Sequence, residues 1–449
     1  VFAGACRIDV TPTGSVFMEG MIRAGRSTGI HDRLFARSLV ISNDRTVENA
    51  YAVISVDVCM VDAAFVSKTR RAIEDRCGMR PGNLIISTTH THSGPSTYGS
   101  FQPLETEYLE ELSGGILRAV EGSIKNLQPA LLGCRSGREA TISRYRRFMD
   151  ENGKVVMIWE QNPAERNLRV LGEIDDELGV LKAVEAGDPS RVICVLFNHA
   201  GHPDVMSGDN LLISADYAGV AQRRVEQVFG GVGMFVNGAQ GTVDIDNWKY
   251  RDWGGMESIG ETLAGAVIAT ANAITPPSAS SIAGESVAYH LPSRKVSAEE
   301  YGWAQDILKV TGGTFQAMPD GVGDDYKALL YDKLWKAQDT FIPFEQVCFA
   351  VDDTAFLSVG CELFTEIGMT IKRKSPFPHT YVLGLSNGYI GYVPTRDAIS
   401  QGGYEVDTRA VGEEAADMIV ERSITLLRSV HDRMEGVRRA GAGRERHTC

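Results

Sequence analysis

Six times along the 449-residue chain, a short run rich in β-branched and aromatic residues breaks abruptly into glycine and polar residues. The runs are YAVISVDV (51–58), NLIISTTHTH (83–92), VICVLFNHAGH (192–202), GMFVNGAQG (233–241), AFLSVGCE (355–362) and YVLGLSNGY (381–389). A continuous apolar run bounded by turn signals is the pattern of a strand buried on both faces. Stretches with helical spacing lie between the runs, at 65–78, 105–127, 216–230 and 256–274, the first closed by Gly78 as a C-cap. Strands alternating with helices predict an α/β fold with large mixed β-sheets flanked by helices. In such sheets ligands gather beyond the carboxyl ends of the strands.

No repeat of solenoid type is visible, and residues 1–430 read as one catalytic domain. Within it, a Pro/Ser connector at 276–281 opens a segment, 275–345, that reads as an internal helical insertion. The end of the chain, 431–449, is basic and poor in large apolar residues, which predicts a flexible tail. A net charge of −13 disfavours a nucleic-acid surface. No apolar run is long enough to cross a bilayer, so stable membrane insertion is not expected. Val1 onward carries no basic-then-apolar leader. Eight cysteines include no C-x-x-C pair, and Cys59, Cys194 and Cys348 sit in apolar runs. That usage predicts reduced thiols and a cytoplasmic setting.

Four of the nine histidines, His90, His92, His199 and His202, fall at two of the strand ends. In an extended chain i and i+2 point to one side, so His90 and His92 can face one site. Neutral imidazole is the commonest zinc ligand. An H-x-H pair alone is equally compatible with structural hydrogen bonding; two pairs at two strand ends favour a metal. Asp57, Glu362, Tyr389 and Tyr392 stand at the other strand ends. Polar residues begin any loop, which accounts for Asn, Gly and Ser there but not for the histidines.

The motif THTHSGP at 89–95 resembles that of the neutral/alkaline (non-lysosomal) ceramidase family. Ile8–Pro12, GIHDRLFARSLVI (29–41), Leu196–Pro203, Ser214–Gly219, VNGAQG (236–241), CELFTEIG (361–368) and SNGYIGYVPT (386–395) resemble further family segments, in order, over residues 1–410. The resemblance implies one Zn²⁺ per chain bound by His90, His202, Glu362 and Tyr392, with Glu366 and Tyr389 as competing assignments. It implies His92 as a second active-site histidine beside the metal and Arg144 as the arginine reaching the substrate; because tyrosine is an uncommon zinc ligand, the alternative role for Tyr392 is oxyanion stabilisation. Asp216, Asp57 and His31 are candidates to orient the ligand imidazoles, although capping is the stronger reading for Asp216.

The chain departs from the family pattern at three places. The family's immunoglobulin-like C-terminal domain has no counterpart in this sequence. Asp244 stands where the ceramidases have serine. Cys361 precedes Glu362 where glycine is typical. Together, Asp244, Asp246 and Arg144 suggest a polar or charged substrate. The expected activity is therefore zinc-dependent hydrolysis of an amide bond in a small or medium polar molecule. The alternatives are ceramidase proper (N-acylsphingosine amidohydrolase), a zinc esterase or lactonase, and a non-catalytic binding protein. A homo-oligomer is compatible with the sequence, with the 297–340 region as its contact surface.

Overall fold

The computed structural model describes the backbone of residues 1–445 and the side chains of residues 1–437. The six apolar runs form three parallel strand pairs, and each pair belongs to a unit of the same topology. In the first unit, Phe2–Asp9 (β1), Phe35–Ser42 (β2) and Tyr51–Val56 (β3) pair successively antiparallel, and Leu84–Thr88 (β4) lies parallel to β3. Helix Ala63–Cys77 (α1) crosses from β3 to β4, and Thr106–Lys125 (α2) follows.

The second unit repeats the series with Gln128–Arg138 (β5), Glu177–Glu185 (β6), Val192–His199 (β7) and the parallel Val232–Asn237 (β8). Its helices are Asp216–Phe229 (α3) and Trp253–Asn272 (α4). The two crossover helices stop in the same way: Gly78 and Gly230 adopt the left-handed conformation at the C-cap, with φ of 76° and 74°.

In the third unit, Ile282–Pro292 (β9) and Phe341–Val351 (β10) are joined through two helices, Ala298–Thr311 (α5) and Asp324–Lys336 (α6). Thr354–Ser358 (β11) pairs antiparallel with β10, Thr365–Lys374 (α7) crosses over, and His379–Leu383 (β12) returns parallel to β11. A long helix, Ala415–Glu445, ends the unit.

Units one and two share an eight-stranded sheet in the order β8-β7-β6-β5-β1-β2-β3-β4. Unit three forms a separate sheet, β9-β10-β11-β12. The two sheets meet through one apolar core that includes Val53, Ile85, Leu196 and Met234 from the first and Val347, Phe356 and Leu383 from the second. Helices cover both outer faces. Burial between a helix layer and a second sheet explains why the parallel strands read as unbroken apolar runs.

Two boundaries differ from expectation. Residues 275–345 are not a wholly helical insertion, because β9 and β10 pair along eleven residues each. Alternating burial over Glu285–His290 marks β9 as a half-exposed strand, and the helical excursion is confined to 298–336. The expected tail is also largely helix. Leu427, Val430 and Met434 extend the apolar stripe that packs on the second sheet, so the helix continues past residue 431. Residues 446–449 lie outside those described. Among the described residues, no helix is long and apolar enough to cross a membrane.

Candidate metal centre

Each unit sends one side chain from a strand end into a common buried cluster. His90 follows β4 and takes φ = 74°, a conformation that costs a non-glycine residue about 1–2 kcal/mol. Its backbone N–H donates to the Val58 carbonyl (3.1 Å), and its Nδ1 lies 2.9 Å from the Cys59 carbonyl. His202 follows β7, with Nδ1 2.7 Å from the Val243 carbonyl. A carbonyl only accepts, so both Nδ1 atoms carry the proton and both Nε2 atoms keep a free lone pair.

Glu362 follows β11, in a two-residue parallel pairing with Tyr392–Val393. Its Oε2 lies 3.0 Å from His202 Nε2 and 3.4 Å from His90 Nε2. The Tyr389 hydroxyl donates to its Oε1 at 2.6 Å. His90, His202 and Glu362 are all at most 2% exposed.

Burial works against ionisation of Glu362, but His90 and His202 outweigh it and hold the carboxyl well below the usual range. Burial, reinforced by Arg146, lowers the pKa of His202. The Glu362 carboxylate thus faces the Nε2 atoms of His90 and His202 at 3.4 and 3.0 Å. With both Nδ1 protons directed at backbone carbonyls, a cation between the three would be shared by two nitrogen lone pairs and the carboxylate. Two imidazole nitrogens and a carboxylate oxygen form a donor set suited to Zn²⁺. The residues present thus fit the metal that the sequence resemblance implies.

His92 completes the floor, its Nε2 3.2 Å from His90 Nε2. Burial, then His90 and His202, push its pKa well down, and its Nδ1 has no partner among the described residues. His92 is grouped with Cys59 and His90, outside the convergent set of His90, His202 and Glu362. Above these residues opens a cavity of about 530 Å³. Its floor also includes Tyr389 and Tyr392, and the facing wall includes Phe315, Tyr326, Leu329, Leu330, Lys333 and Leu334, from and between α5 and α6. Phe101 packs on Tyr326 and Tyr98 on Tyr389, each with ring centroids 5.0 Å apart. The helical excursion is therefore a wall of the site.

Several candidate residues lie elsewhere. Arg144 is partly exposed, bonds the Thr141 and Ser143 carbonyls and stands 3.9 Å from Asp246. The arginine at the cluster is Arg146, which the sequence reading missed. Its Nη1 lies 3.2 Å from His202 Nε2, its Nε donates to Glu405 at 2.7 Å, and its guanidinium sits 5.2 Å from the Tyr392 ring centre. Asp244 does not line the cavity. It is buried, accepts from the Ile245 N–H and stands 4.0 Å from Arg146.

The carboxylates suggested as imidazole partners are engaged elsewhere too. Asp57 pairs with Arg37, and Asp216 accepts from the N–H groups of Val205 and Tyr217. His31 bonds Asp32. Backbone carbonyls hold His90 and His202 instead. Glu366 accepts from the Tyr145 hydroxyl, away from the imidazoles. His199 lies 3.4 Å from Ser143 Oγ, outside the cluster. Of the two tyrosines, Tyr389 bonds the Glu362 carboxylate, while Tyr392 lines the cavity under Arg146.

Comparison with known proteins bears on the fold and the family. The family model described as neutral/alkaline non-lysosomal ceramidase, N-terminal, matches residues 2–244. Neutral ceramidase 2 of Arabidopsis thaliana is 26% identical over 257 residues, covering 55% of this chain and 32% of that protein. The neutral ceramidase of Mycobacterium tuberculosis is 24% identical over 236 residues, covering 49% of this chain and 35% of that protein. The matched region thus spans about a third of the length of these relatives. The crystal structure of neutral ceramidase from Pseudomonas aeruginosa superposes with a TM-score of 0.73 at 19% identity, covering 96% of this chain and 74% of that one. A ceramidase complexed with C2 gives 0.74, covering 96% and 75%. The fold is shared along nearly the whole chain, and with more than half of its residues matched by the family model, the chain belongs to the neutral/alkaline non-lysosomal ceramidase family.

Proposed function

We propose that this protein is a zinc-dependent hydrolase that cleaves the amide bond of a mid-sized substrate, with an apolar part of that substrate against the α5–α6 wall. The observation that carries this reading is the convergence of His90 Nε2, His202 Nε2 and the Glu362 carboxylate at the floor of a 530 Å³ cavity. Zn²⁺ held there supplies Lewis acidity, polarising the substrate carbonyl and lowering the pKa of water. His90 and His202 present lone pairs because backbone carbonyls fix their Nδ1 protons. Glu362 supplies the anionic charge, oriented by Tyr389.

His92 is neutral and reaches the same floor. Its imidazole takes a proton from attacking water and returns one to the leaving nitrogen. Arg146 holds positive charge beside His202, anchored by Glu405, and balances the buried carboxylate.

The cavity changes the expected substrate. A polar molecule was suggested by Asp244, Asp246 and Arg144, none of which lines the cavity. Aromatic and aliphatic side chains outnumber the one lysine, Lys333, on the facing wall, which favours an N-acyl amide with an apolar group. A cavity of this size suits a drug-sized ligand.

The test measures zinc and amine release from N-acyl amides of graded chain length, with matched esters and ceramide in detergent as further arms. About one zinc per chain and release of amine from amides of intermediate length are expected. A purified chain that neither binds zinc nor releases amine would sink the proposal; faster turnover of the esters would move it to an esterase.

A further inference from the structure

The segment Met18–Arg23 lies in the β1–β2 connection of unit one, outside the repeated strands and helices, and carries none of the three converging donors, yet three of its residues hold the substrate side of the site. Glu19 is completely buried and forms no ion pair among the described residues. Its carboxylate instead accepts from the Ser96 hydroxyl (3.1 Å) and from the N–H groups of Tyr98 (3.1 Å), Gly99 (2.7 Å) and Ser100 (3.3 Å). Four donors on one carboxylate fix the conformation of loop 96–101. That loop supplies Tyr98, which packs on Tyr389, and Phe101, which packs on Tyr326 across the cavity.

Gly20 takes φ = 89°, and a Cβ built on it would stand 2.5 Å from Cγ of His92. The bare backbone is therefore the surface on which the His92 ring rests, and a side chain there would be strained and would displace the ring. Arg23, also buried, donates from Nη2 to the His92 carbonyl at 2.6 Å and from Nη1 to the Glu19 carbonyl at 3.0 Å. Gln102 returns a bond to the Arg23 carbonyl at 2.7 Å, closing the loop onto the segment.

We infer that Glu19, Gly20 and Arg23 form a positioning device that seats His92 and the cavity rim independently of the metal ligands. The inference rests on the hydrolase reading above for its kinetic consequence. A buried carboxylate in the middle of a polar loop has no counterpart on the ligand side, where backbone carbonyls and Tyr389 do the holding. Metal retention and substrate positioning are thus assigned to separate parts of the chain.

Two variants test this, with zinc content, kinetics and the His92 imidazole NMR resonance as readouts. The resonance is assigned by its loss in His92→Gln and followed in metal-free protein. Glu19→Gln keeps size and removes the charge that four donors address; KM should rise about tenfold with kcat within about twofold and zinc content unchanged. Gly20→Ala should lower kcat about 100-fold and shift the His92 resonance, again with zinc retained.

Wild-type KM in Glu19→Gln, or a wild-type His92 resonance and kcat in Gly20→Ala, would overturn the inference. So would loss of zinc in either folded variant, since the segment would then be general scaffolding. If Gly20→Ala fails to fold, Glu19→Gln decides. Failure of the hydrolase reading is distinct: the wild type would lack zinc or turnover, while the resonance would still report whether Gly20 seats His92.

Discussion

Units one and two supply imidazoles and unit three supplies a carboxylate, and the three are held in place differently. His90 follows β4, the second strand of its parallel pair, and is oriented by the carbonyl of Cys59 beyond the first strand, β3. His202 follows β7, the first strand of its pair, and is oriented by the carbonyl of Val243 beyond the second strand, β8. The roles of the strands are exchanged, but the device is the same: two parallel strand ends, one giving an imidazole and the other a backbone acceptor. In unit three, Glu362 follows β11, and the stretch beyond β12 offers the hydroxyl of Tyr389. A ligand held by backbone carbonyl cannot be detuned by changing its partner's side chain, whereas Glu362 can. The crevice between parallel strand ends is the general ligand site of α/β sheets, here used three times around one point.

The strongest way to break this comparison is to remove one ligand from each unit. His90→Ala, His202→Ala and Glu362→Gln should each abolish stoichiometric zinc and lower kcat/KM by about 1,000-fold or more. Full zinc occupancy in Glu362→Gln beside its loss in both histidine variants would show that unit three shapes the site without binding the ion.

The next contrast sets two arginines two residues apart against each other. Arg146 and Arg147 share the buried carboxylate of Glu405 at 2.7 Å each. Arg146→Ala leaves Glu405 to Arg147 alone and takes the buried cation away from Asp244, and should cost about 3–5 kcal/mol by urea denaturation. Arg144→Ala, at a partly exposed site, should stay within about 0.5 kcal/mol. Equal costs would mean that Arg146 is not the arginine that stabilises the cluster.

That pair also shows what the sequence could and could not reveal. The six apolar runs were legible as strands because each is buried on both faces, and Gly78 was legible as a helix stop. The pairing of the runs into three like units was not, since the partner of a strand is set by long-range packing. Strand β9 was concealed because half its side chains face solvent and a Pro/Ser connector precedes it. His90, His202 and Glu362 stand in motifs whose resemblance named them, and the folded chain brings those three together. Arg144, Arg146 and Arg147 crowd four residues, and only Glu405, some 260 positions away in the chain, selects among them. Asp244 differs from the serine of the family pattern, but its side chain turns inward toward Arg146 and Asp204. Glu19, Gly20 and Arg23 have no periodicity or motif, so only their contacts reveal them.

The crossover helices of units one and two both begin near an aspartate, with a difference that pH should expose. Asp62 is exposed and caps α1 by accepting from Phe65 N–H. Asp216, at the first position of α3, is wholly buried with φ = 56°, and burial pushes its carboxyl from 3.8 up to about 7. Because the folded pKa is raised, the contribution of Asp216 is fully present below pH 3.8 and is lost as pH rises through 7. Asparagine tolerates the left-handed backbone and does not ionise. Between pH 5 and pH 8 the metal-free wild type should therefore lose about 2 kcal/mol of stability relative to Asp216→Asn. Parallel stability curves for the two proteins would place Asp216 in a better solvated setting than its burial implies.

The smallest effect bears most directly on how unit three differs from the others. Tyr389→Phe removes one hydroxyl, leaves the three donor atoms in place and frees the Glu362 carboxylate to rotate. Loss of such an outer hydrogen bond weakens metal binding by about 10–100-fold, and the lower end is expected here because His202 still contacts the same carboxylate. Competition with a chelator of known affinity measures the change. No equivalent substitution exists for His90 or His202, since Cys59→Ala and Val243→Ala keep the carbonyls that hold them. Those two variants should therefore bind zinc within about twofold of wild type, set against about tenfold for Tyr389→Phe. If Cys59→Ala weakened binding as much as Tyr389→Phe, the Cys59 thiol, 3.5 Å from His90 Nδ1, would share in orienting the imidazole, and the division between backbone-held and side-chain-held ligands would fall.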